Sequence, residues 1–552
     1  MYYIPEGELA ATGAEQGRQA EPSRSRRRFA PALLGLALGC VFAFGAASAG
    51  ASSPEAGGTL RILVPIGPAP PLDPALSLPG ALARDLWQSA CATLYTFRDA
   101  PAPKGYDLLA EAAVGPPRVS RDRKTYVFTV RKGLRFSDGS ALGAANFVAG
   151  LRRVLNPAQG SYGAFLFSDV KRITSRGRRV RVELTRPAGD LPMRMTLPYA
   201  CPVPLGFPVN AAGVTLTAGS GPYRIARVTP GKEFVLTRNR YYRGHRPHVL
   251  SAIDVTIGDT LQGSIRAVES GQADVLGTDL PPELRGGLVR RFGINKRQLF
   301  RWSGTFFYPL VLNTSGPLFR NNVALRRAVN LAVDRTEIRQ QRPDARIATR
   351  ATDQILPSSL PGWTDRRLYP MKPNLARAGK LAKGHLRSGK ATLYVFNVPW
   401  LVDQARVVDA DLGKIGLEVT VKPLAMGPLL ARAGTRGEPF DMLLTGYNVE
   451  YPDPADVIIR LLAGAHASRP TGNTNFAYFK HSAYDRRMAA ANRLTGVARM
   501  RAFSKLDADL MRNQAPWAPL IEGSTWILLS RRVGCFKPHP VYLVDLPAVC
   551  IR

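Results

Sequence analysis

Five cysteines are the first residues in this 552-residue chain whose chemistry depends on spacing. Cys40 sits in an apolar N-terminal run, and Cys91, Cys201, Cys535 and Cys550 lie beyond it. No Cys-x-x-Cys occurs, so the spacing points neither to zinc nor to dithiol redox chemistry. An even set beyond an export leader suggests two disulfides, for which four cysteines allow three pairings. Cys535 and Cys550 flank Phe536-Lys537-Pro538-His539-Pro540, which can turn the chain back, so these two are expected to pair, leaving Cys91 with Cys201. The stretch from Gly384 to Ala391 approaches a phosphate-binding loop. Ala391 replaces the hydroxyl residue that such a loop needs, and the stretch precedes a strand instead of following one, so it reads as a turn. His245 and His248 flank Arg246-Pro247, where proline stiffens the turn and no other His or Cys is near in sequence; no metal is expected there. Neither His-Glu-x-x-His nor Gly-x-Ser-x-Gly is present. The chain is expected to have no catalytic residue and no cofactor, and to bind, not to catalyse.

The N-terminus sets the compartment. Ser25-Arg26-Arg27-Arg28-Phe29 precedes an apolar run from Ala30 to Ala47, and Ala47-Ser48-Ala49 follows. A basic segment, an apolar segment and a small-x-small site make a secretory signal peptide, here residues 1–49. Ser-Arg-Arg-x-Phe also resembles a twin-arginine export signal. Two alternatives stay open: an uncleaved anchor, because the run is nearly long enough to span, and lipidation at Cys40. Ala37-Leu38-Gly39 matches a lipobox poorly, however, and Val41 to Phe44 continue the apolar run past the cysteine. The mature chain is expected in the periplasm or on the outer face of the cytoplasmic membrane. At about 500 residues it is too long for one ordinary core and suggests two or three lobes.

The net charge of +34 is spread along the chain, and its densest patch is Arg176 to Arg181. A nucleic-acid-binding chain concentrates such charge into a stripe or tail, so no nucleic acid is expected. Positive charge would hold an exported chain close to anionic envelope polymers and lipid headgroups, but a general arginine bias accounts for it too, so charge alone decides nothing.

The elements that must position a site alternate between strand and helix. Strands are expected at 58–64, 125–130 and 180–184, and helices at 81–97, 144–155 and 323–339. Leu325, Ala328, Val329, Ala332 and Val333 form the packed face of the last helix, leaving Arg326, Arg327, Asp334 and Arg335 outside. Lys132-Gly133 and Asp138-Gly139 mark tight turns. A strand–helix–strand unit is expected over 391–397, 402–415 and 417–421, and 484–511 is largely helical. The fold class is α/β.

Several ordered segments resemble family 5 of the extracellular solute-binding proteins, the oligopeptide, dipeptide and nickel-binding group of ABC transporters. They include Asp122 to Gly139, Gly219 to Tyr223, Arg238 to Gly244, Leu325 to Arg335, Tyr447 to Pro454 and Ala515 to Leu520. The resemblance implies a bilobed α/β fold with an inserted subdomain in the first lobe. The implied layout is a linker at 50–58, first-lobe segments at 59–95 and 206–300, the insertion at 96–205, the second lobe at 301–515 and a first-lobe return at 516–552. Chain crossings between lobes are implied near Phe300 to Asn313 and Leu510 to Glu522. It further implies a monomeric receptor that works with membrane permease subunits and holds a short peptide or similar solute in the cleft; an oligosaccharide, opine or metal chelate, or an envelope enzyme or sensor on the same scaffold, are the alternatives.

In peptide-binding members an acidic residue one place before the tyrosine of the 446–453 loop receives the ligand's α-ammonium. Here that residue is Glu450, before Tyr451. Gly446, Tyr447, Asn448 and Val449 complete the implied wall, with backbone at Tyr447 and Val449 able to pair with an extended peptide. Asp453, before Pro454, is expected to cap or fix the loop. Trp302, Phe306, Phe307 and Tyr308, together with Trp526, are candidate aromatic surfaces of the cleft.

Overall fold

The computed structural model describes residues 57–65, 71–77, 81–213 and 215–552. The leader expected over 1–49, and most of the linker after it, lie outside the described residues.

Three larger sheets organise the chain. In the first, Thr59–Pro65 lies between Val275–Leu276 and Ala252–Asp259, parallel to both, with Glu233–Arg238 and Tyr223–Thr229 following antiparallel. Leu60 and Ile62 alternate into the core against Ile253 and Val255, as a strand's two-residue period requires. The second sheet has seven strands, built around Leu299–Leu312 and Trp517–Leu528. The third is an antiparallel four-stranded sheet of Arg118–Val119, Thr125–Thr129, Arg179–Leu184 and Val170–Arg176, with its own core around Phe128, Phe136 and Leu151.

The two long strands join the lobes. Near one end Leu299, Trp526 and Leu528 pack with first-lobe residues such as Val268 and Leu276. Further along, Phe307, Leu310, Trp517 and Leu520 enter the core of the second lobe. Between these cores the register jumps from Ser303 opposite Ser524 to Phe307 opposite Glu522, so three residues face Gly523 alone. Such a bulge bends and twists a strand pair where a straight ladder would keep it stiff.

Both expected disulfides are present, Cys91–Cys201 and Cys535–Cys550. The first ties the end of helix Ala81–Ala90 to the end of the turn Pro198–Ala200. Helix Ala144–Leu155 has the expected bounds. Gly133 and Gly139 sit at φ of 73° and 90°, the turn conformations that only glycine adopts cheaply. The expected strand–helix–strand unit is Lys390–Phe396, Pro399–Gly413 and Glu418–Leu424, with its strands parallel, and the 384–391 stretch is the turn leading into it.

Three expectations are corrected. The helix expected over 81–97 stops at Ala90, and Tyr95–Phe97 instead pairs with Leu108–Ala110, as a β-branched and aromatic triplet prefers. The helix expected over 323–339 breaks into Val323–Ala332 and Arg335–Gln340. Asp334 caps the second piece, accepting from the N–H groups of Thr336 and Glu337, both at 2.9 Å. Arg326 and Arg335, expected outside, are buried. The Arg335 guanidinium donates to the carbonyls of Thr352, Pro519, Asn330 and Pro370, a set assembled from four chain segments that helical periodicity does not register.

Candidate functional site

Strand Met442–Leu444 delivers the chain to the loop at the lobe junction. Tyr447–Asn448 pairs with Phe306 and Phe307 of the long strand. At Gly446 a Cβ would lie 2.7 Å from the Phe306 ring and 2.8 Å from that of Tyr308, so any side chain here would have to push these rings aside. The N–H of Val449 donates to the carbonyl of Thr305 at 3.3 Å, so this donor is already committed and does not face an added strand.

Glu450 is buried, at 3% exposure. Its carboxylate is approached from two other parts of the molecule. Arg84, on helix Ala81–Ala90, places Nη2 3.5 Å from Oε2 and donates to the backbone carbonyl of Glu450 at 2.9 Å. Tyr162, in the turn Tyr162–Phe167 of the inserted subdomain, donates to Oε1 at 3.2 Å. Three segments far apart in the chain therefore meet on one carboxylate. Burial, and then the negative charge of Glu450, push the Tyr162 phenol far up, so it stays a donor.

Asp456 sits behind Glu450. Its Oδ2 accepts from the N–H of Glu450 at 2.7 Å, and its Oδ1 from Arg460 at 2.5 Å. Burial raises it to about 6, with the charge of Glu450 adding to the effect and Arg460 opposing it. Tyr451 reaches the insertion, donating to Asp190 Oδ2 at 2.6 Å. Burial disfavours the Asp190 carboxylate, but Arg194 and Arg499 outweigh it and hold the group at about 2. Asp453 fixes the loop as expected, capping helix Pro454–Leu462 through the N–H of Ala455 at 2.9 Å and accepting from Arg499 at 2.7 and 3.1 Å.

Of the candidate aromatics, Phe306 and Tyr308 are half-buried and meet edge to face at 4.8 Å, and Tyr308 meets Trp400 at 5.1 Å. Arg342 stacks over Trp400 at 4.4 Å. Trp302 is half-buried on the first-lobe side, 6.2 Å from Phe536. Two candidates are corrected. Trp526 is fully buried among Val268, Leu288 and Leu299, with Arg285 over its ring at 5.6 Å, and has no surface to offer a cleft. Phe307 is buried in the second-lobe core because strand alternation sends its neighbours Phe306 and Tyr308 to the other face. Sequence reasoning missed Arg84, Tyr162, Asp456 and Trp400. Arg84 lies 366 residues from Glu450, and no local pattern marks it.

Among the described residues no group of three or more His, Cys, Asp and Glu side chains is placed to hold a metal. His248 Nδ1 lies 3.2 Å from the Arg246 carbonyl, and His245 lies 3.7 Å from Glu111. No helix among them is long and apolar enough to cross a membrane.

Two lobes joined by a bent strand pair, with a charged and aromatic junction between them, define a cleft-binding receptor fold. The chain belongs to the bacterial extracellular solute-binding proteins of family 5, whose model matches residues 80–469. It is 26% identical over 411 residues to Protein XP55 of Streptomyces lividans, covering 70% of this chain and 71% of that protein. It is 22% identical over 463 residues to the dipeptide-binding protein DppE of Bacillus subtilis, covering 78% and 81%. Among solved structures, the clavulanic acid biosynthesis oligopeptide binding protein 2 superposes with a TM-score of 0.82 at 22% identity, over 90% of this chain and 96% of that one. That likeness establishes the bilobed α/β fold.

Proposed function

We propose that the chain is the extracytoplasmic solute-binding receptor of an ABC importer, and that it hands short peptides or similar solutes from the cleft to membrane permease subunits. It works as an exported monomer, without a cofactor. The observation that carries the reading is the buried Glu450 carboxylate where the three parts of the molecule converge. A solute that touches both lobes only when they are together shifts the population toward closure, and affinity follows from that difference. Glu450 is the anchor for a solute ammonium, with Gly446, Tyr447 and Asn448 as wall and the half-buried rings of Phe306, Tyr308 and Trp302 as adaptable apolar surface. Support for peptides comes from relatives described as dipeptide- and oligopeptide-binding.

A thermal-shift screen of di- to pentapeptides, oligosaccharides, opines and a nickel–histidine chelate tests this. Peptides are expected to raise the melting temperature. If millimolar peptides leave it unchanged while another class raises it, the peptide reading is wrong. Glu450→Gln is expected to weaken peptides with free N-termini about tenfold or more beyond whatever it costs N-acetylated ones, the loss of a charge-assisted hydrogen bond. Equal loss for both removes the ammonium-anchor role.

A further inference from the structure

We propose that Arg84 is a built-in competitor for the cationic end of the solute: it holds the Glu450 carboxylate from the opposite lobe, and a solute ammonium must exchange with it. This inference rests on the reading that Glu450 faces the solute.

The geometry of the contact supports exchange over a permanent ion pair. Arg84 extends from a first-lobe helix whose Leu86 packs with Leu60 and Tyr223, and its guanidinium crosses to a second-lobe loop. Its shorter contact, 2.9 Å, goes to the neutral carbonyl of Glu450, and its longer one, 3.5 Å, to the carboxylate. Charge-assisted contacts close to about 2.7–2.9 Å when nothing prevents it. The other contact to the carboxylate, from Tyr162, is also long at 3.2 Å. An ionised carboxylate has about four acceptor directions, and an ammonium is a compact group with three donors. A solute ammonium can therefore approach Glu450 more closely than the planar guanidinium does.

The surroundings decide what happens to Arg84 on exchange. The charged side chains around the carboxylate are Arg84, Arg460 and Asp456, with Tyr162, Tyr199 and Tyr447 as the neutral ones. Arg460 is committed to Asp456 and is itself buried. A third cation beside Arg84 and Arg460 would face two carboxylates, so one cation must leave. Arg84 is the one able to do so: its side chain is 15% exposed, against 7% for Arg460. A solute with no cationic end leaves the Arg84–Glu450 bridge in place. The same bridge links the lobes, and without it the receptor spends less time closed.

The test uses the full mature protein with trialanine and N-acetyl-trialanine. In Arg84→Gln the ratio of the two dissociation constants, acetylated over free, is expected to rise at least tenfold, because trialanine no longer competes with an internal cation. Arg84→Lys, which keeps a cation, is expected to hold the ratio within about threefold of the parent. Paired fluorophores on the two lobes, read without added solute, are expected to show a larger mean separation in Arg84→Gln. Arg84→Met, which keeps an apolar stem, replaces it if the glutamine variant does not fold. A ratio that is unchanged or lower overturns the proposal. If neither peptide binds parent or variant, the peptide reading has failed, and the lobe separation alone decides: no opening in Arg84→Gln then overturns the bridge.

Discussion

Replacing Tyr451 by phenylalanine deletes one oxygen from a contact between the inserted subdomain and the second lobe, and its consequence for affinity can be worked out. The Tyr451 hydroxyl donates to Asp190 at 2.6 Å and receives Arg460 at 3.3 Å. Although the residue belongs to the second-lobe loop, its ring is buried in the core of the insertion. A hydrogen bond to an ionised partner contributes about 1.5–3 kcal/mol. Asp190 keeps Arg194 at 3.3 Å in the variant, so its charge is not left unpaired and the loss falls near the lower end. If the contact exists only when the lobes are together, about 1.5–2 kcal/mol is lost from the closed state alone, and the dissociation constant rises roughly 10- to 30-fold for every solute. Isothermal titration with trialanine and N-acetyl-trialanine checks this. Both constants are expected to rise by the same factor, in contrast to the selective change expected at Arg84. An unchanged affinity together with lower resistance to urea refutes the reasoning: the contact then survives lobe opening, and the insertion travels with the second lobe.

Two further predictions concern buried charge. Burial pulls the Arg335 guanidinium down to about 10, a cost offset by its hydrogen bonds to surrounding carbonyls, so Arg335→Met loses those bonds but regains the desolvation cost. The balance is a net destabilisation of about 1–3 kcal/mol, seen as a lower urea midpoint; a variant as stable as the parent contradicts it. Asp545 is raised to about 7, first by burial and then by the charge of Asp99. Its folded pKa lies above its unfolded one, so the fold binds the extra proton and this group's cost grows as pH rises from about 4 to 7. Asp545→Asn is therefore expected to raise the melting temperature at pH 8 more than at pH 5, and an equal gain at both excludes the linkage.

The sequence was legible where its signals are local. Helix Ala144–Leu155, the glycine turns at 133 and 139, the parallel strand–helix–strand unit and both disulfides follow from periodicity, turn chemistry and cysteine counting. The loop carrying Glu450 was legible through its resemblance to a family, not through its own spelling. What stayed hidden is what tertiary packing decides. Arg335 looks like a solvent-facing arginine because the carbonyls that receive it come from residues 330, 352, 370 and 519. Trp526 and Trp302 both read as large apolar side chains near a chain crossing, and only the depth to which packing buries each one separates core from cleft edge.

The net charge of +34 suggests a receptor that draws anions inward, yet the junction is arranged otherwise. In the ion-paired network running from Glu450 to Asp169, Arg84, Arg194, Arg460 and Arg499 face Glu450, Asp169, Asp190, Asp453 and Asp456. Four cations stand against five carboxylates, and the carboxylate beside Glu450, Asp456, is raised to about 6. The surplus positive charge lies elsewhere, on exposed positions such as Arg172, Arg176 and Arg179, where water and salt screen it. Long-range attraction and local recognition are thus separated in this molecule. The surface can hold the protein near anionic polymers or lipid headgroups, while the carboxylate at the lobe junction holds a cation, Arg84, which on the reading proposed above a solute's own cation replaces.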